Sequence, residues 1–308
     1  MDNRRWPAGI VDTHVHTAPD VIPRRLDDGQ MVRQADEAEY RAVVLKSHHT
    51  VTAARATMAE QQSSEARAFG GVVLNLHATG GINRYAVDAA LKLGAKVVWL
   101  PTITAANQIR YGGEAGIKSG NLVALGTIEG DGLSVLDEDG DPTEELCRVF
   151  DLMAEAGATL ATGHVSPEES LVVVPEARRR GVPNVIVTHP ELRCIGMTVE
   201  QQLELADLDH VWFERVLAVT LPTSDDIPIT EIAESVRTVG VESTIMATDF
   251  GQAHNAPPVE GLKIYIDRMR ELGFSHDDLE AMTAANPSAA LSLDADDEMR
   301  ANQGERPS

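Results

Sequence analysis

Cysteine is nearly missing from this sequence: Cys147 and Cys194 are the only two in 308 residues, and neither belongs to a C-x-x-C pair. A disulfide scaffold and a thiolate zinc cage are thereby excluded, so any bound metal must use nitrogen and oxygen ligands. Positive charge is also scarce, with 26 lysines and arginines against 48 aspartates and glutamates, a formal net of −22. Such a chain repels the phosphate backbone of nucleic acids and anionic membrane surfaces, and neither is expected as a partner. No stretch offers the roughly eighteen uncharged apolar residues of a membrane span. The first nine residues carry Arg4 and Arg5 but lack the apolar run of a secretory signal, so a cytoplasmic location is the expectation.

What is present is a rhythm. With 43% apolar residues the chain can bury a sizeable core. It repeats one unit: a helical stretch, a glycine or small residue, a short β-branched run, then a polar residue at the end of that run. The runs are Ile10 to Val15, Ala42 to Lys46, Val72 to Leu76, Ala95 to Leu100, Thr159 to Gly163, Asn184 to Val187, His210 to Phe213 and Ser243 to Ala247. Helical stretches fall between them, among them Ala86 to Leu93, Glu144 to Ala156, Pro175 to Arg180 and Ile229 to Val239. This alternation predicts an α/β fold, a parallel eight-stranded (β/α)8 TIM barrel, as one domain over residues 1–293. An elaborated loop after strand 4, about 102–141, contains a further strand-like run, Leu122 to Ile128. The acidic cluster at 137–141 has its glycine in the wrong place for a calcium loop and reads as solvated surface. Residues 294–308 form an acidic polar tail that is expected to be mobile.

The residues at the strand ends are of metal-binding types. Asp12-Thr13-His14-Val15-His16 closes the first strand, and because side chains alternate along a strand, His14 and His16 point the same way, into the barrel mouth. The second run ends Lys46-Ser47-His48-His49, the third Asn75-Leu76-His77, the fifth Gly163-His164, the sixth Thr188-His189-Pro190 and the eighth Ala247-Thr248-Asp249. A lone H-x-H is a weak signal, but four strand ends carrying His-x-His, His, His and Asp in that order argue for a shared divalent cation.

These motifs, with the Asn286-Pro287-Ser288 turn near the end, resemble the amidohydrolase superfamily of metal-dependent hydrolases over most of the chain. The resemblance implies that His14, His16 and Asp249 bind one metal and that His164 and His189 bind or face a second. Zinc is the first expectation, with manganese or iron as alternatives. The family's bridging lysine usually ends the fourth strand, where this chain has Val98-Trp99-Leu100-Pro101-Thr102 and offers no bridge. Lys46 is the nearest substitute, either as a carboxylated metal ligand or as a lysine that binds substrate or pairs with an acid. Glu129 is a second candidate, and one or two metals per chain both remain open.

Such a site implies a hydrolase acting on an amide, lactone or related C–N or C–O bond of a small molecule. A bound divalent cation brings the pKa of its water toward roughly 7, which makes hydroxide available at neutral pH. Asp249 is the candidate proton carrier, or a plain ligand. Arg24 and Arg193, on loops after the first and sixth strands, and His77 are candidates for substrate contact. The rival readings are a metal-dependent phosphoesterase, either a barrel deoxyribonuclease, which the negative charge disfavours, or a histidinol-phosphatase-like enzyme, whose site usually ends in Asp-x-His where this chain has Asp249-Phe250-Gly251, and an inactive barrel that only binds a ligand. Pairing into a homo-oligomer is compatible with all of these.

Overall fold

The computed structural model describes residues 6–114 and 130–297. Eight parallel strands run in the order β1 to β8: Val11–His16, Ala42–Lys46, Arg67–Val73, Ala95–Trp99, Thr159–Ala161, Val185–Thr188, Val211–Val216 and Thr244–Ala247. Helices alternate with the strands, and the result is the (β/α)8 barrel that the rhythm predicts. Seven of the eight runs differ from the observed strands by no more than three residues at either end. The third is the exception, because β3 begins five residues before Val72 and ends at Val73. Its glycines mark close approaches: a Cβ on Gly71 would meet the Val97 carbonyl at 2.0 Å, and one on Gly70 the Thr52 carbonyl at 2.4 Å. Glycine here lets the neighbouring backbone pass, so a pair that reads as a break is strand interior.

The helix expected from Pro175 begins earlier, at Pro167, and runs to Arg179. Ser166 and Glu169 form a reciprocal cap at its start, which outweighs the one backbone bond that Pro175 cannot donate. Glu144–Ala156 and Ile229–Val239 are helical over the expected residues. The strand-like run 122–128 and Glu129 lie outside the described residues. Beyond them, Asp137 Oδ1 accepts from the backbone N–H of Asp139 and Asp141, so the acidic loop spends that carboxylate on its own turn.

Apolar side chains alternate across the sheet. Val44, Val97, Ile186, Trp212 and Ile245 fill the barrel interior, while Val43, Leu45, Phe213 and Met246 face the helices. Leu291 and Leu293 close the amino-terminal end of the interior, and Asn286 ties this segment to β8 by donating to the carbonyls of Val241 and Thr244. The described start of the acidic tail, residues 294–297, makes ion pairs with the barrel. Asp294 and Asp297 pair with Arg41, Asp297 also with Arg67, and Asp296 with Lys96, all at the entries of β2, β3 and β4. Among the described residues no helix is long and apolar enough to cross a membrane.

A buried clasp joins the last strand to the first. Asp12 accepts hydrogen bonds from Thr248 N at 3.1 Å, Thr248 Oγ1 at 2.6 Å and His14 N at 3.2 Å. Burial pushes its carboxyl up to about 7 even though these bonds pull the other way. Just past β8 the backbones also pair, Asp249 N to His14 O at 2.9 Å and His16 N to Phe250 O at 2.7 Å. Replacing Thr248 by valine keeps the shape but strips a donor from a buried acid. It should cost about 1–3 kcal/mol in urea unfolding with the helical circular-dichroism spectrum unchanged.

Candidate metal centre

The carboxyl ends of the strands converge on one group of side chains. His14 Nε2 and His16 Nε2 lie 3.2 and 3.0 Å from the same oxygen, Asp249 Oδ1. Among the described residues, these three bring one ligand atom each to within 4.8 Å of one another. Lys46 Nζ sits 3.0 Å from His14 Nε2 and 5.5 Å from the centre of the Trp99 ring. Trp99, at the end of β4, lies on the floor beside Lys46 and His14, its ring centre 6.4 Å from that of His14. His164 and His189 form a second pair, ring centres 5.0 Å apart, with His189 5.9 Å from His14.

Each of these positions has a local cause. Val44 and Lys46 share the inward face of β2 by strand alternation. Gly163 at φ +62° turns the chain so that His164 enters the mouth, and a Cβ there would meet the Leu100 carbonyl at 2.5 Å. His189 and Asp249 themselves take positive φ, +30° and +53°, a conformation that non-glycine residues accept where the surroundings impose it.

Burial sets the charge state. Desolvation lowers His16 to about 3 and His189 to about 4, and it holds His48 and His164 well below the usual imidazole range. Nearby cations add to this, Arg24 for His16 and Lys46 for His48. Burial works against ionisation of Asp249, but His14, His16 and Lys46 outweigh it and hold its carboxyl well below the ordinary carboxylate value. Lys46 is lowered to about 8 by burial, against the pull of Asp249 and Glu214. The centre thus combines His16, His164 and His189, which burial keeps neutral, with an ionised carboxylate and a lysine close to giving up its proton. That donor set suits a divalent cation of borderline softness. His189 Nδ1 is buried without a protein partner, which is consistent with the histidine facing something other than protein.

Glu214 is the main residue that sequence reasoning missed. It sits on β7, inward like Trp212, and its Oε2 is 2.8 Å from His14 Nδ1 while Thr13 Oγ1 donates to Oε1 at 2.5 Å. A carboxylate behind a ligand imidazole fixes its tautomer and directs Nε2 at the metal. The signal was the inward period of two along Trp212-Phe213-Glu214, hidden because the seventh run was ended at Phe213. His164 is steadied in the same manner by Gln108, 2.9 Å from Nδ1.

Of the expected substrate residues, Arg24 belongs to this region: it pairs with Asp20 at 2.8 Å and lies 3.5 Å from His16 Nδ1. His77 and Arg193 do not. Because β3 ends at Val73, His77 falls on an exposed turn of helix, and Asn75 takes the inner position, donating to Thr102 Oγ1 and the His48 carbonyl. Arg193 is exposed and bonded to Asp225 on the loop after β7.

With this geometry in hand, the comparisons can be placed. The family described as "Family of unknown function (DUF6282)" matches residues 9–214, two thirds of the sequence. The chain belongs to this family. The match includes His14, His16, Lys46, His164, His189 and Glu214 but stops short of Asp249. No curated protein matches by sequence. Solved structures similar in fold include an amidohydrolase from Pseudomonas aeruginosa (TM-score 0.57, 13% identity, covering 92% of this chain and 95% of that one). Others are a 2,6-dihydroxybenzoate decarboxylase from Rhizobium (0.53, 10%, 93% and 99%) and an N-acetyl-D-glucosamine-6-phosphate deacetylase from Mycobacterium smegmatis (0.52, 16%, 92% and 76%). At these identities the likeness is one of fold.

Glu214→Gln keeps a group of the same size behind His14 but removes its charge. Affinity for zinc, measured by competition with a chromogenic chelator, should fall about 10- to 100-fold. His77→Ala and Arg193→Ala should leave that affinity unaltered.

Proposed function

We propose that the protein is a metal-dependent hydrolase of a small molecule. The observation that carries this is the convergence of His14 Nε2 and His16 Nε2 on Asp249 Oδ1, with Glu214 behind His14. His14, His16 and Asp249 would hold one divalent cation, with zinc the first candidate and manganese or iron the others. His164 and His189 would take or face a second, and Lys46, 3.0 Å from His14 Nε2, would join the ligand set after its neutral amine is converted by carbon dioxide to an anionic carbamate. Its depressed pKa supports this role, since only the free amine reacts with carbon dioxide.

A bound cation would supply Lewis acidity toward the scissile carbonyl and make a nearby water more acidic. The chain's own residues do the rest. Asp249, ionised and with its side chain 20% exposed toward the mouth, is placed to orient the attacking water and accept its proton. Glu214 and Gln108 hold the imidazoles in the tautomers that leave Nε2 free. The buried floor, with Trp99 across it, keeps bulk water away and strengthens each of these interactions.

The phosphoesterase reading is weakened at Gly251. A Cβ at that position would meet the His16 carbonyl at 1.8 Å, so no histidine fits two residues beyond Asp249. An inactive barrel fits poorly with His16, His48, His164 and His189 gathered in one mouth and kept neutral by burial; a protein that folds, binds metal and hydrolyses nothing would support it. The test is turnover of a panel of small esters, lactones and amides by zinc-loaded and chelator-treated protein. Turnover should require the cation, and Asp249→Asn should lower kcat by about 10²- to 10⁴-fold. Lys46→Met should reduce the metal content from two per chain to one. Equal turnover with and without the cation would refute the proposal.

A further inference from the structure

Beside the metal centre, the loops after β1 and β2 build a second buried titratable cluster. His49 Nδ1 lies 2.6 Å from Asp20 Oδ1, and Arg24 Nε donates to Asp20 Oδ2 at 2.8 Å. All three side chains are buried to 1% exposure or less. The opposite ring nitrogen, His49 Nε2, is buried and has no hydrogen-bond partner in the protein. Leaving such an atom unpaired is costly, and structural histidines avoid it by bonding at both nitrogens. The cluster adjoins the metal centre. The His49 ring stands edge-on to His48 at 6.0 Å, and His48 stacks on His16 at 4.9 Å.

The pair has the form of an acid/base dyad. A carboxylate on Nδ1 fixes the tautomer, leaves Nε2 to exchange protons with a substrate and stabilises the imidazolium. Arg24 keeps the carboxylate ionised: burial of Asp20 opposes ionisation, but its bonds to His49 and Arg24 prevail and hold it well below the usual range.

We propose that His49, positioned by Asp20, is a second catalytic residue, the general acid that protonates the leaving group while Asp249 accepts the proton of the attacking water. This rests on the hydrolase reading above. In ester hydrolysis the water oxygen bonds to the carbonyl carbon, and the bond from that carbon to the leaving oxygen breaks. The electron pair of the broken bond stays on the leaving oxygen, which takes the proton from His49 Nε2. The proton gained by Asp249 returns to His49 through solvent, so the cycle consumes only water.

The experiment compares two probes on the zinc-loaded full chain. p-Nitrophenyl acetate has a leaving group stable as an anion, whereas ethyl acetate needs its leaving oxygen protonated. In His49→Gln the ratio of kcat/KM for p-nitrophenyl acetate to that for ethyl acetate should rise by about 10²-fold or more, and in Asp20→Asn it should rise in the same direction. Zinc content by elemental analysis should match the wild type in both variants. In the metal-free protein, the His49 Nδ1 proton should give a hydrogen-bonded NMR resonance that Asp20→Asn abolishes. An unchanged ratio, or zinc lost from His49→Gln, would overturn the role of His49 alone. Wild-type protein that hydrolyses neither ester would overturn the hydrolase reading, and this role with it.

Discussion

The barrel closes through a buried carboxylate. Asp12 takes three hydrogen bonds, two of them from Thr248, and so fixes the register between the first strand and the last. The other neighbouring strands pair within the sheet, with a register shift in β1–β2 and another in β3–β4, but here the pairing lies past the end of β8, through Asp249 N and Phe250 O. That seam matters chemically. It brings His14 and His16 from one end of the chain against Asp249 from the other, and a slip of one residue would turn the histidines out of the mouth. The close passage of Gly251 under His16 belongs to the same constraint.

Once the seam is set, burial does the electrostatic work. Imidazoles removed from water lose their affinity for protons, whereas the carboxylates beside them keep their charge because they are surrounded by donors. One strand, β7, serves both layers of the fold: Glu214 faces inward to His14, and Arg215 faces outward to Glu191 and Gln202.

Much of the fold was legible in the sequence because buried parallel strands are written as short β-branched runs between capped helices. The third strand was misjudged at Gly70 and Gly71, whose small size answers to neighbouring backbone that no linear pattern reveals. His14, His16, Lys46, His164, His189 and Asp249 could be named because strand ends in a barrel share one face. Glu214 escaped notice because an acid inside an apolar run looks like the end of a strand. Arg193 and His77 lie apart from the cluster for a related reason: a position after a strand does not fix whether a long side chain turns toward the mouth or the solvent. The pairing of Asp20 with His49, 29 residues apart on two loops, is tertiary and left no local trace.

The most direct test of the central claim is the position of the cation. Crystals of zinc-loaded protein, measured on either side of the zinc absorption edge, should show an anomalous peak bounded by His14 Nε2, His16 Nε2 and the Asp249 carboxylate. A peak elsewhere on the molecule, or none at full zinc loading, would contradict the account.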